Sequence, residues 1–178
     1  MLHIMVRRSR DVSYLSGDPA LELDGVRRGA AAWWPKGPAR DPAEVLATTD
    51  RASVVGYDLV FAAPRALSLL LALDPDEGRG VVEAHRASVA AALDYLESRA
   101  VVTRDRRGGD LLVEPGEWPA AVGFTHGVNR HGEPHLHDHV LVGARPSGAE
   151  RVLDSRSLFA HAPSADALYR ASLRAGVA

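Results

Sequence analysis

The sequence predicts an α+β fold in which an antiparallel sheet is covered by helices, and three observations carry that prediction. Residues 53–61, SVVGYDLVF, are rich in β-branched and aromatic side chains and end at Ala63-Pro64, as a strand does. Residues 76–99 repeat apolar side chains near helical spacing, through Val81, Val82, His85, Val89, Ala92, Leu93 and Leu96. Residues 118–125 and 136–144 form two further strands across the polar loop 127–134.

The other elements follow in chain order. Residues 2–6 read as a short strand, followed by a polar stretch that contains Tyr14 and Gly17-Asp18-Pro19. Residues 25–52 are rich in Gly, Pro and Ala, with Trp33-Trp34-Pro35-Lys36-Gly37 at the centre. This is a long surface excursion with one helical turn near 42–47, and long excursions in compact domains are often functional. Residues 65–73 are an apolar helical segment. Residues 101–104 and 110–113 flank Arg106-Arg107-Gly108-Gly109, which predicts a hairpin. Residues 152–154 form a short strand and residues 164–173 a closing helix. No internal repeat or low-complexity tract appears, and 178 residues suit one domain, 1–178.

Composition excludes several classes of function. The chain has no cysteine, so it offers no disulfide, thiolate site or thiol nucleophile, and any metal must sit on His, Asp, Glu or backbone oxygen. No apolar run is long enough to span a membrane, and the N-terminus lacks the pattern of a cleaved signal peptide. A cytoplasmic protein with no membrane partner is expected. The formal charge of −2 argues against a general nucleic-acid binder, although a net value can hide a local basic patch. Lys36 is the sole lysine among 21 basic residues, so arginine must supply most contacts to anions.

The densest chemical signal is a run of histidines. His126, His131, His135, His137 and His139 fall within fourteen residues, out of eight histidines in the chain. His137 and His139 are two apart on a predicted strand and leave the same face, while Leu136, Asp138 and Val140 leave the other. If the hairpin register sets 126 opposite 137, His126 joins them. Three neutral imidazoles on a rigid two-stranded platform suit a metal and leave positions open for substrate or water. An isolated His-x-His is as often a wet surface pair; the third histidine on the adjoining strand favours the metal. His135 shares the face as a fourth ligand or a rim residue. His131 lies in the turn, and His85 and His161 read as packing or surface residues.

The segment Phe124-Thr-His126-Gly-Val-Asn-Arg130-His-Gly-Glu-Pro134-His-Leu-His137-Asp-His139 resembles the three-histidine motif of TrwC-type conjugative relaxases, a branch of the HUH endonucleases. In that family it runs roughly Phe-x-His, Ser-Arg, then Asp-Pro-x-Leu-His-Thr-His. Gly56-Tyr-Asp58-Leu-Val-Phe61-Ala-Ala-Pro64-Arg-Ala-Leu-Ser68 resembles the family's Asp-Leu-Thr-Phe-Ser-x-Pro-Lys-Ser-x-Ser segment. Val152-Leu-Asp154, Leu158 and Leu168-Tyr169-Arg170-Ala171 are similar to the family's stretch C-terminal to the histidines, and residues 32–37 to an aromatic-Lys/Gln-Gly segment. The order is kept over most of the chain.

The resemblance implies an HUH relaxase palm and a metal-dependent nickase that cuts single-stranded DNA, forms a 5′-phosphotyrosine and transfers the strand, as in plasmid mobilisation by conjugation. It implies His126, His137 and His139 as ligands of a divalent metal, Mn²⁺ or Mg²⁺ first, with Zn²⁺, Ni²⁺ or Co²⁺ as further candidates. It implies Tyr14 as nucleophile and Asp58 as the acid–base or histidine-orienting residue, where a surface or capping Asp is the plainer reading. Arg130 and Arg65 would touch DNA phosphate, and Trp33 and Trp34 would stack bases unless they anchor a core. A monomer is expected, working with single-stranded DNA and with other conjugation or replication proteins.

Two departures are evident. The family carries two close pairs of tyrosines near its N-terminus, and here Tyr14 stands alone. The chain is also shorter than the usual family domain. Two other functions therefore compete: a non-catalytic DNA-binding or replication-accessory domain, and a three-His metallohydrolase without a covalent step.

Overall fold

The structure is a computed structural model that describes residues 1–16, 30–31, 42–46, 54–107, 110–118, 121–145 and 151–178. In chain order its elements are β1 (Leu2–Arg7), a 3-10 turn (Ser13–Ser16), β2 (Ala30–Ala31), α1 (Pro42–Val45), β3 (Gly56–Ala62), α2 (Arg65–Leu73) and α3 (Pro75–Ala100). They continue with β4 (Val102–Arg107), β5 (Asp110–Pro115), β6 (Ala121–Val128), β7 (Pro134–Gly143) and α4 (Ser155–Gly176). The main sheet has the order β1-β3-β7-β6-β2, with antiparallel pairing throughout, and β4-β5 form a separate ribbon. The expected α+β architecture is what the chain adopts.

Alternation along the central strands makes the two faces different. Leu59, Phe61, Leu136, Val140 and Val142 leave one face and are buried under α2, α3 and α4. Leu141, Val122 and Phe124 leave the other face and form a smaller core with Leu15, Val45, Leu46 and Val55. This second cluster covers only part of its face. The remainder, the more open part of the sheet among the described residues, carries the histidines, which are half-buried.

The helices form where local chemistry favours them. Asp74 caps α3, its carboxylate accepting from the backbone N–H of Asp76 and Glu77 at 3.2 Å, with Pro75 in the first turn. Such a cap contributes about 1 kcal/mol. Asp154 caps α4 in the same way through Arg156 N–H, so that helix starts at Ser155 rather than at Ser164. Pro163 immediately precedes the helix expected over 164–173. It lies instead inside α4, where it gives up one backbone donor.

Two further boundaries differ from the sequence reading. Trp118 is buried but precedes β6, which starts at Ala121. Leu153 makes a single bridge to Thr103 rather than a strand. Where β3 and β7 run together, Gly56 pairs with Gly143, and a Cβ on Gly143 would lie 2.6 Å from the Val45 carbonyl oxygen. This absence of side chain lets α1 lie close on the sheet. No helix among the described residues is long and apolar enough to cross a membrane.

Candidate active site

β7 is the middle strand of the sheet and carries His135, His137 and His139 on its open face, while Leu136 and Asp138 point into the helix-side interior and are fully buried. The pairing of β6 with β7 sets His126 opposite His137, the register on which the sequence expectation depended. The three rings converge. Their centroids lie 5.2 Å apart for His126–His137, 5.3 Å for His137–His139 and 5.7 Å for His126–His139. Imidazoles sharing one ion at metal–nitrogen distances of roughly 2.1 Å have centroids about 5 Å apart, so the spacing suits a shared ligand.

The hydrogen bonds select the nitrogens. His139 Nδ1 lies 3.0 and 2.9 Å from the two oxygens of Asp58, and His137 Nδ1 lies 2.7 Å from the His135 carbonyl. With Nδ1–H donating in both, each ring keeps its Nε2 lone pair for a ligand. Burial pushes the His137 imidazole down to about 4, only partly opposed by its bond to His135, so the ring is neutral at ordinary pH. His135 is also lowered, first by burial and then by the Arg65 charge, and its ring lies 4.8 Å from that of His137. As they stand, no three His, Asp or Glu side chains among the described residues are placed to hold a metal ion together. The His126 and His137 rings are stacked at 28°, and a common ion would require one of them to turn.

Asp58 lies on β3 and is fully buried beside His139. Its Oδ2 accepts a second hydrogen bond, from the Tyr14 hydroxyl at 2.7 Å. Tyr14 belongs to the 3-10 turn, which Leu15 fastens to the smaller core, and its ring meets His139 edge-on at 6.0 Å. Burial, followed by the bond to Asp58 and its charge, raises the phenol well above its ordinary value. Tyr14 is still 48% exposed, which a substrate needs. The other three tyrosines lie elsewhere: Tyr57 and Tyr169 in the helix-side core, Tyr95 on α3 bonded to His161.

Other sequence candidates lie around this centre. Arg65 opens α2 next to His135, with Glu133 at 3.9 Å. Arg130 sits in the exposed β6–β7 turn with its Nε on His131. Asn129 accepts from the backbone N–H of His131 and Glu133, and Gly132 supplies the positive φ of 76° that closes the turn. Trp33 and Trp34 lie outside the described residues.

Two features escaped the sequence reading. Arg7 stacks over Tyr14, with its guanidinium carbon 4.8 Å from the ring centroid. On the reverse of the sheet His85 Nδ1 meets the Tyr169 hydroxyl at 2.9 Å, and its Nε2 lies 3.5 Å from Asp138 Oδ2, with all of this interior to the protein. The second distance is within reach of an ion pair but does not meet hydrogen-bond geometry, and neither Asp138 oxygen has a hydrogen-bond partner. His85 is thus a packing residue, one of the two readings its position allowed, and not a surface one.

Comparison with known proteins places this geometry. The family model for TrwC relaxase matches residues 12–178. The chain is 33% identical over 87 residues to the multifunctional conjugation protein TraI of Escherichia coli, a match that covers 49% of this chain. It spans only 5% of the length of that relative. A copper-bound structure of conjugative relaxase TrwC in complex with oriT DNA superposes with a TM-score of 0.77 at 25% identity, covering 99% of this chain and 69% of that one. A TrwC complex with a 27-mer DNA that comprises the recognition hairpin and cleavage site gives 0.72 at 22% identity, covering 99% and 68%. With the family model matching nearly the whole length, the chain belongs to the TrwC relaxase family.

Proposed function

We propose that this chain nicks single-stranded DNA with Tyr14 and rejoins or transfers the strand, with a divalent metal held by His126, His137 and His139. The observation that carries the reading is the position of Asp58, whose carboxylate takes the Tyr14 hydroxyl and His139 Nδ1 together. One carboxylate thus serves both the nucleophile and a ligand histidine.

In this reading Asp58 accepts the phenolic proton as Tyr14 Oη forms its bond to phosphorus. The P–O3′ bond breaks, the 3′ oxygen leaves and takes a proton from solvent, and the 5′ phosphate remains on Tyr14. Reversal by a 3′ hydroxyl restores the strand and returns the proton to Tyr14. A bound divalent ion supplies charge to the phosphoryl oxygens, which lowers the barrier to displacement. His139 is held by Asp58 and His137 by the His135 carbonyl, so two of the proposed ligands are oriented before any ion arrives. With Tyr14 the lone tyrosine at the site, each chain holds one covalent strand at a time.

A donor set of imidazoles accommodates Mn²⁺ and the later first-row ions more readily than Mg²⁺, and the copper-bound TrwC structure supports metal binding in this family. Arg65 and Arg130 would hold DNA phosphates near the rim, and Trp33 and Trp34 would stack on bases. A single chain supplies the whole set, so a cytoplasmic monomer acting on single-stranded DNA, with other conjugation or replication proteins as partners, completes the proposal. The test is to incubate the protein with labelled single-stranded oligonucleotides and Mn²⁺, then look for a denaturation-resistant protein–DNA adduct. An adduct from the wild type that Tyr14→Phe cannot form supports the reading. Cleavage without an adduct would favour a metallohydrolase, and binding without cleavage a DNA-binding accessory domain.

A further inference from the structure

We infer that Arg7 is a positioning residue for the nucleophile, holding the Tyr14 ring by its face and the backbone leading to it by two carbonyls. The inference rests on the proposed role of Tyr14.

Arg7 ends β1, the outer strand of the sheet, and alternation with Ile4 and Val6 puts it on the open face beside Met5 and His3. Its side chain turns over the next segment of the chain. Nη2 donates to the Asp11 carbonyl and, at 3.5 Å, to the Ser9 carbonyl. Asp11 Oδ1 then accepts from Ser13 N–H at 2.9 Å, at the first residue of the 3-10 turn. Leu15 N–H closes the turn on the Val12 carbonyl at 2.9 Å. Arg7, Asp11, Ser13 and Tyr14 therefore form one connected path from the sheet edge to the phenol.

The ring needs such a hold. Tyr14 is 48% exposed, so core packing does not fix it. Among the described residues its hydrogen-bond and ring contacts are the Asp58 carboxylate at the hydroxyl, the His139 edge, and the Arg7 guanidinium at 4.8 Å from the ring centroid. Only the first directs the oxygen, and that bond must be given up when the oxygen attacks phosphorus. Arg7 and His139 remain. A guanidinium suits this double task, because one nitrogen, Nη2, serves both carbonyls while its central carbon stands over the aromatic face.

Loss of the clamp should slow the covalent step without weakening DNA capture. In Arg7→Met, which keeps the apolar stem, the single-turnover rate of adduct formation should fall between about tenfold and a hundredfold, the cost of a misplaced reacting atom. The Kd for the same oligonucleotide should change less than about threefold, since one phosphate-independent contact is lost. Hydrogen–deuterium exchange on the metal-free protein gives a readout that needs no activity: amides of residues 9–16 should exchange faster in Arg7→Met, with those of β3 and β7 unchanged. A wild-type adduct rate, or unchanged exchange at 9–16, would overturn the inference. An adduct that survives Tyr14→Phe strikes instead at the assignment of the nucleophile, and the exchange measurement still decides the clamp.

Discussion

The Tyr14 hydroxyl and the His139 imidazole share one buried carboxylate, Asp58, at 2.7 and 2.9 Å. A single side chain therefore links the proposed nucleophile to the proposed metal platform. Changing it should affect the covalent step more than any binding step. Asp58→Asn keeps the shape but removes the charge that accepts the phenolic proton. Adduct formation should drop by about 10² to 10⁴, the usual range for losing a positioned base. Fluorescence anisotropy with single-stranded DNA should show affinity within about threefold of wild type, and a parallel loss of affinity would argue for a purely structural carboxylate.

Metal uptake should depend on which face a histidine occupies. His137→Ala and His126→Ala should each weaken Mn²⁺ binding at least tenfold in calorimetric titration, as expected when one of three ligands is removed. His131 sits in the exposed turn, and His131→Ala should stay within about twofold. Equal losses at 131 and 137 would remove the basis for the face assignment.

Acid should destabilise the metal-free protein through His137. Its imidazole is ordinary near 6.5 when unfolded and held at about 4 when folded, chiefly by burial. Between those values the unfolded chain takes up a proton that the folded chain refuses. The favourable difference is therefore complete above pH 6.5 and lost as pH falls toward 4, on the order of 3 kcal/mol at most. Urea midpoints measured in chelator across that window should fall with pH, and His137→Gln should flatten the slope. A wild-type midpoint that does not move from 6.5 to 4 contradicts the buried, neutral ring.

The reverse face should reveal itself as stability alone. His85→Leu leaves the buried Tyr169 hydroxyl without its 2.9 Å partner and removes the ring that stands 3.5 Å from the fully buried Asp138 carboxyl, which should cost about 1–3 kcal/mol. Replacing His85 and Asp138 together by leucine should recover part of that loss, because an apolar pair leaves no unpartnered carboxyl in the core. A double variant no more stable than His85→Leu would show that the two side chains are not coupled.

Much of this arrangement was legible in the sequence because strand parity and register are strict. Two-residue spacing put His137 and His139 on one face, and the β6–β7 register brought His126 opposite His137. Asp58 could be assigned to a strand from its β-branched neighbours. Its link to Tyr14 joins residues 44 positions apart and passes through a turn with little periodic signal. Arg7 was missed for a related reason: its parity with His3 and Met5 gives the face, but only the folded path of residues 9–11 brings it over Tyr14. Asp138 stands where the relaxase motif has Thr, and its buried companion His85 lies on a helix 53 residues earlier. No local pattern connects them. The start of α4 lies earlier than expected because Asp154 supplies the cap and the helix runs through Pro163, a residue that ordinarily disfavours helix interiors.

The most direct test of Tyr14 as the nucleophile is peptide mapping of the covalent product. Wild-type protein is incubated with Mn²⁺ and single-stranded oligonucleotide, digested with protease and nuclease, and the modified peptide is sequenced by mass spectrometry. The expected product is a nucleotide phosphate on Tyr14, in a peptide that also spans Val12 and Leu15, reduced by about 10² or more in Asp58→Asn at early times. A phosphate carried by Tyr57, Tyr95, Tyr169 or any serine, or strand cleavage that leaves every peptide unmodified, would contradict it.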